Sequence, residues 1–89
     1  MTPRNLISGT QFRRDVKLAQ RRRKDMSKLR ELILLLAEGN PLPPYYKDHP
    51  LAGVWKHHRD CHLEPDWLLI YRVLPQQGVL EYVRMGTLV

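Results

Sequence analysis

The sequence holds a single cysteine, Cys61, so it can close no internal disulfide, and a reducing compartment is expected. Long apolar runs are missing as well. The longest block, Leu32 to Ala37, falls far short of a membrane span, and Met1 to Thr10 carries no apolar run of signal-peptide length. A cytoplasmic protein without membrane contact is the expectation. Acidic residues are scarce beside basic ones: 9 Asp+Glu against 15 Lys+Arg, a formal net charge of +6. That imbalance favours a polyanionic partner such as RNA, or an acidic protein segment, although a merely soluble basic domain carries the same signature. Internal repeats, low-complexity tracts and linkers are absent. With 89 residues, 43% of them hydrophobic, the chain suits one domain, 1–89, with a small core.

Periodicity divides the chain into two helices followed by strands. Asn5 to Thr10 suits a short strand, with Thr10 as N-cap of a helix from about Gln11 to Arg22. Phe12, Val16 and Ala19 recur at helical spacing there, opposite a face crowded with Arg13, Arg14, Lys17, Arg21 and Arg22. Asp25 or Ser27 can cap a second helix whose buried stripe is Leu29, Ile33 and Leu36, with Leu32 beside it. Gly39 suits its C-terminal cap, and Pro41 cannot continue it. The short connection predicts an antiparallel helical hairpin. After a proline-rich loop, Asn40 to Pro50, strands are expected at about Val54–Leu63, Trp67–Val73 and Val79–Met85. Turns at Glu64-Pro65-Asp66 and Pro75-Gln76-Gln77-Gly78 separate them. The expected class is α+β, with the helices on one face of a small sheet.

Strand alternation puts Cys61 and Leu63 on the core side and Lys56, Asp60 and His62 on the other. In the last strand it groups Arg84 with Leu80 and Tyr82. A histidine pair, carboxylates and cations around one hairpin suit RNA cleavage by 2′-OH attack on the adjacent phosphate. One group takes the 2′-OH proton, another protonates the leaving 5′-oxygen, and cations offset phosphoryl charge. Asp66 can act as a base or orient a histidine. Trp67, Tyr45, Tyr46 or Tyr71 can stack on an unpaired base. The bland readings stand beside these. His57 and His58 suit solvated strand positions, and His49 suits a loop residue before proline. Asp66 suits a turn, Trp55 and Trp67 suit packing, and Arg21 to Lys24 suits a solvated helix end that can also grip RNA phosphates. Cys61 turns toward the core and makes a poor nucleophile. One cysteine without regular ligand spacing argues against structural zinc. No metal or cofactor is expected.

Several ordered segments carry a family resemblance. They are Asp15-Val16-Lys17-Leu18-Ala19-Gln20, Lys24-Asp25-Met26, Pro41-Leu42-Pro43-Pro44, Tyr46-Lys47-Asp48-His49-Pro50-Leu51, Arg59-Asp60, His62, Glu64-Pro65-Asp66-Trp67, and Arg84 with Gly86-Thr87. As a set they resemble the YafQ branch of the RelE-type bacterial toxins, which are ribosome-dependent mRNA interferases. The resemblance implies a RelE-like α+β domain, a helical hairpin on one face of a twisted, mainly antiparallel sheet. It also implies a toxin of a type II toxin–antitoxin pair that cuts mRNA in the ribosomal A site. A cognate antitoxin would neutralise it in a hetero-oligomer. By the same resemblance His49, His62, Asp66 and Arg84 are catalytic, while Lys47, Lys56 and Trp67 bind RNA.

One position departs from the pattern. The resembling toxins follow Gly-Thr with a catalytic histidine and, shortly after, an aromatic. Here Leu88 follows Gly86-Thr87, and the late aromatic has no counterpart before Val89. Leucine moves no proton, so an attenuated or inactive nuclease is the expectation. The alternatives are a non-cleaving module of the same fold that blocks its target and a general basic RNA-binding domain.

Overall fold

The computed structural model describes residues 5–39, 41–74 and 79–86. Strand β1, Asn5–Ser8, is followed by helices α1, Thr10–Arg21, and α2, Met26–Glu38. Strands β2, His49–Pro50, β3, Arg59–Glu64, β4, Trp67–Leu74, and β5, Val79–Gly86, complete one sheet. Its order is β1-β5-β4-β3-β2, with β1 parallel to β5 and the remaining pairs antiparallel.

Local chemistry explains both helix boundaries of α2. Asp25 Oδ1 accepts the Ser27 backbone N–H, and Gly39 closes the helix in a left-handed conformation, φ 77°. The N-cap of α1 is Gly9 rather than the expected Thr10, which lies inside the helix. Phe12 and Ala19 of α1 join Leu29, Leu32 and Leu36 of α2 in one core with Cys61, Leu63, Leu69, Tyr71, Leu80, Tyr82 and Met85 of the sheet. Both helices therefore cover the same sheet face. Asp15 is buried on the apolar side of α1, where the hydrophobic pattern alone gave no reason for a carboxylate.

Two expected features differ. The strand predicted from about Val54 begins only at Arg59; Gly53–Trp55 forms a 3-10 turn instead. Gly53 and His57 both adopt positive φ, 66° and 72°, which takes the backbone out of the extended region. In β5 the expected alternation breaks. Tyr71 pairs with Tyr82 but Ile70 pairs with Arg84, a bulge that spends one extra residue, Val83. Met85 thereby joins Leu80 and Tyr82 in the core, and Arg84 moves to the opposite face with Ile70. The turn expected at Pro75 to Gly78, and Thr87 and Leu88, lie outside the described residues.

Candidate active site

The sheet face turned away from the helices carries the candidate chemistry. Register aligns His49 with Asp60, Asp60 with Ile70, and Ile70 with Arg84, one row across four strands. Directly opposed residues share a face, so this row presents a histidine, a carboxylate and an arginine together. His62 lies one alternation beyond Asp60 on the same side of β3. Ile70 is buried yet stands outside the helix-side core, as the apolar floor of the row.

The two histidine rings lie 6.2 Å apart between centroids. His49 is exposed, its Nδ1 2.6 Å from the Lys47 carbonyl oxygen. A carbonyl only accepts, so Nδ1 carries a proton, and in the neutral ring the lone pair then lies at Nε2. Lys47 reaches this position through a left-handed backbone, φ 51°, at the end of the Pro44–Tyr46 3-10 turn. His49 Nδ1 also lies 3.2 Å from Asp60 Oδ1. Asp60 is 7% exposed, and its Oδ1 has no hydrogen-bond partner.

A brace behind His49 fixes this geometry. Tyr71 donates its hydroxyl to Asp48 Oδ1 at 2.5 Å, and Arg59 Nε donates to both Asp48 oxygens at 3.2 and 3.3 Å. The residue next to His49 is thus tied to β3 and β4. Burial, then the Asp48 hydrogen bond and charge, push the Tyr71 phenol well above its usual range. Arg59, which broke the expected apolar face, is accounted for by this pairing; the same hydrogen bond to Asp48 raises its guanidinium further.

Arg84 is anchored rather than loose. Its Nε donates to Asp15 Oδ2 at 3.1 Å, and the same oxygen accepts the Met85 backbone N–H at 2.9 Å. Strand β1 pairs with β5 only as far as Tyr82, so beyond it the Asp15 carboxylate replaces a neighbouring strand. Two strand spacings, roughly 10 Å, separate the Arg84 and Asp60 backbones.

The remaining candidates divide. Lys47 and Lys56 are exposed, and Lys47 borders a cleft of about 350 Å³ that also includes His62, Tyr45 and Lys28. Asp66 is exposed in the β3–β4 turn. Trp67 departs from the expected RNA contact: it is 2% exposed, and the Lys24 ammonium sits 5.7 Å from its ring centroid, so no face is free for a base. Tyr46 and Tyr71 are buried too, which leaves Tyr45, 64% exposed, as the accessible aromatic beside the cleft. Glu64 also turns toward the helices, bonding Lys24 and Lys28, because the sheet register shifts between His62 and Glu64. Cys61 is fully buried, and burial pushes its thiol up, which removes it as a nucleophile. His57 is exposed, and His58 packs edge-on against Trp55. Sequence reasoning omitted Asp60 and Asp48 from the site. The first was signalled by its two-residue spacing from His62 on a strand; the second had no sequence signal.

Comparison with known proteins identifies the family. Residues 4–88 match the family described as the bacterial toxin of type II toxin–antitoxin systems, YafQ. The mRNA interferase toxin YafQ of Escherichia coli K12 is 50% identical over 88 residues, 98% of this chain and 94% of that protein. In the crystal structure of the E. coli DinJ–YafQ toxin–antitoxin complex, a chain of 50% identity superimposes with a TM-score of 0.88, covering 96% of this chain and 92% of its own. A metal-bound toxin from Helicobacter pylori, 38% identical, gives a TM-score of 0.88 over 94% of this chain and 93% of its own. A match from end to end of the described fold, at this identity, makes the chain a member of the YafQ family of type II toxin–antitoxin toxins.

Proposed function

We propose that this chain is an mRNA interferase that cuts mRNA in the ribosomal A site, in a form weakened by Leu88. The observation that carries the proposal is the His49–His62 pair, 6.2 Å apart, on a sheet face that the helices leave open. One imidazole takes the 2′-OH proton of the RNA as its oxygen attacks phosphorus; a second acid protonates the departing 5′-oxygen. His49, with its lone pair at Nε2, suits the acceptor role. Arg84, Lys47 and Lys56 supply positive charge to the phosphoryl oxygens. Asp66, exposed in the β3–β4 turn, serves as a further base or orients a histidine, as the family resemblance implies. In related toxins a histidine occupies the place of Leu88, and loss of a general acid or base lowers the rate by roughly a hundredfold to ten-thousandfold.

The E. coli relative was crystallised with its antitoxin DinJ. By extension this chain pairs with a small antitoxin in a hetero-oligomer, in the cytoplasm. An excess of 15 basic over 9 acidic residues suits an acidic antitoxin segment that folds over the basic surface. Among the described residues no helix is long and apolar enough to cross a membrane. Leu88 itself favours a second reading, a module of the same fold that binds its target without cutting.

Primer extension on programmed ribosomes tests the choice. The Leu88→His form is expected to give codon-positioned cuts, and the chain with Leu88 at least about a hundredfold fewer. Silence from both, with folded protein, would overturn the interferase reading and leave the non-cleaving module.

A further inference from the structure

The sheet edge beside His62 is open for a structural reason. Strand β2 is two residues long and pairs with β3 only at Arg59 and Asp60. Among the described residues, His62 to Glu64 therefore continue without a strand on that side. The Pro44–Tyr46 turn and α2 flank this stretch, and the cleft of about 350 Å³ lies between them. Pro44 fixes φ at the start of the turn. The Tyr46 and Lys47 N–H groups donate to the Pro43 and Pro44 carbonyls at 3.1 and 3.0 Å, which closes it. Tyr46 is buried in the core, and the Tyr45 ring rests against it with 4.5 Å between centroids. Tyr45 is thus exposed yet backed, and it loses little freedom when a second ring covers it.

Charge selects the kind of ligand. Lys28 and Lys47 line the cleft together with Glu31 and Glu64, and Glu64 is already held by Lys24 and Lys28 at 3.2 and 3.0 Å. Such balanced charge gives a phosphate no advantage inside the cleft. The apolar surface of Tyr45, Leu63 and Pro65 suits an uncharged flat ring instead. We infer that the cleft is a subsite for one unpaired RNA base, stacked on Tyr45, with its ribose and phosphate leading toward His62. His62 lines the same cleft, so a base held there fixes the adjoining backbone beside that imidazole. Base binding stands apart from the chemistry of cleavage; its consequence for cutting rests on the interferase reading.

A mixed-sequence 2′-O-methyl heptanucleotide, which 2′-OH attack cannot cut, tests the subsite by NMR titration of the full chain. The Tyr45 ring protons should move upfield as a base stacks on them, and the His62 ring protons should shift with them. Affinity should fall about fivefold to a hundredfold in Tyr45→Ala, stay near the parent in Tyr45→Phe, and not change in His57→Ala. The same strand with abasic positions should leave the Tyr45 signals in place. Absence of saturable binding, unmoved Tyr45 signals at saturation, equal affinity in Tyr45→Ala, or equal Tyr45 shifts with the abasic strand would overturn the subsite. Cleavage on programmed ribosomes separates the two readings. In the Leu88→His background, Tyr45→Ala should raise KM by a similar factor and leave kcat nearly level. Cutting with an unaltered KM in Tyr45→Ala would overturn the part of the subsite in cleavage and leave the interferase reading standing. No cutting by folded Leu88→His protein would overturn the interferase reading, while the heptanucleotide titration still decides the subsite.

Discussion

At the scale of single residues, Asp48 does more for the site than its place in a loop suggests. Its carboxylate satisfies the buried Tyr71 hydroxyl and the Arg59 guanidinium, and so fixes the backbone on which His49 sits. Asp48→Ala leaves the Tyr71 hydroxyl without its acceptor and should cost about 1–3 kcal/mol in chemical denaturation. Asp48→Asn, which keeps an acceptor, should cost less. The same contact gives a pH signature. The folded-state phenol is raised, so the unfolded chain gives up this proton first as pH passes about 10. The Tyr71 contribution is therefore complete below that pH and is lost as pH rises toward the folded value. A denaturation midpoint that held level through the alkaline range would contradict this. None of the pairing was visible beforehand: Asp48 read as a loop residue and Tyr71 as a strand residue, and only the tertiary fold brings them together.

At the scale of elements, residues with strong local physics were legible and those set by strand pairing were not. Asp25 and Gly39 framed α2 because capping is local chemistry. Trp67 to Val73 read as a strand and forms β4 with Leu74 added. Val54 to His58 misled because its residue types suit a strand while Gly53 and His57 bend the backbone out of one. The β5 bulge was equally hidden, since alternation counts residues and a bulge spends one. That bulge decides whether Arg84 faces the core or the candidate site. Asp15 holds it in place through Arg84 and the Met85 N–H. Asp15→Ala should strip both bonds and lower the melting temperature by roughly 10 °C, taking about 2 kcal/mol for the orphaned groups. A variant as stable as the parent would mean that the bulged end of β5 needs no anchor from α1.

At the scale of the whole molecule, the architecture divides labour between the two faces of one sheet. The helices seal one face with an apolar core, and the other holds the row from His49 to Arg84 above Ile70. The α+β layout followed from the order of periodic segments, and the family from the ordered motifs. The cluster of His49, Asp60 and His62 followed from neither, because β2 is only two residues long and its pairing with β3 has no sequence signal. The most direct test asks whether this open face does the cutting. In the Leu88→His background, cleavage on programmed ribosomes should fall by at least about a hundredfold with His49→Ala or His62→Ala, and stay level with His57→Ala. Codon-positioned cuts at undiminished rate from the folded His49→Ala and His62→Ala proteins would contradict the account.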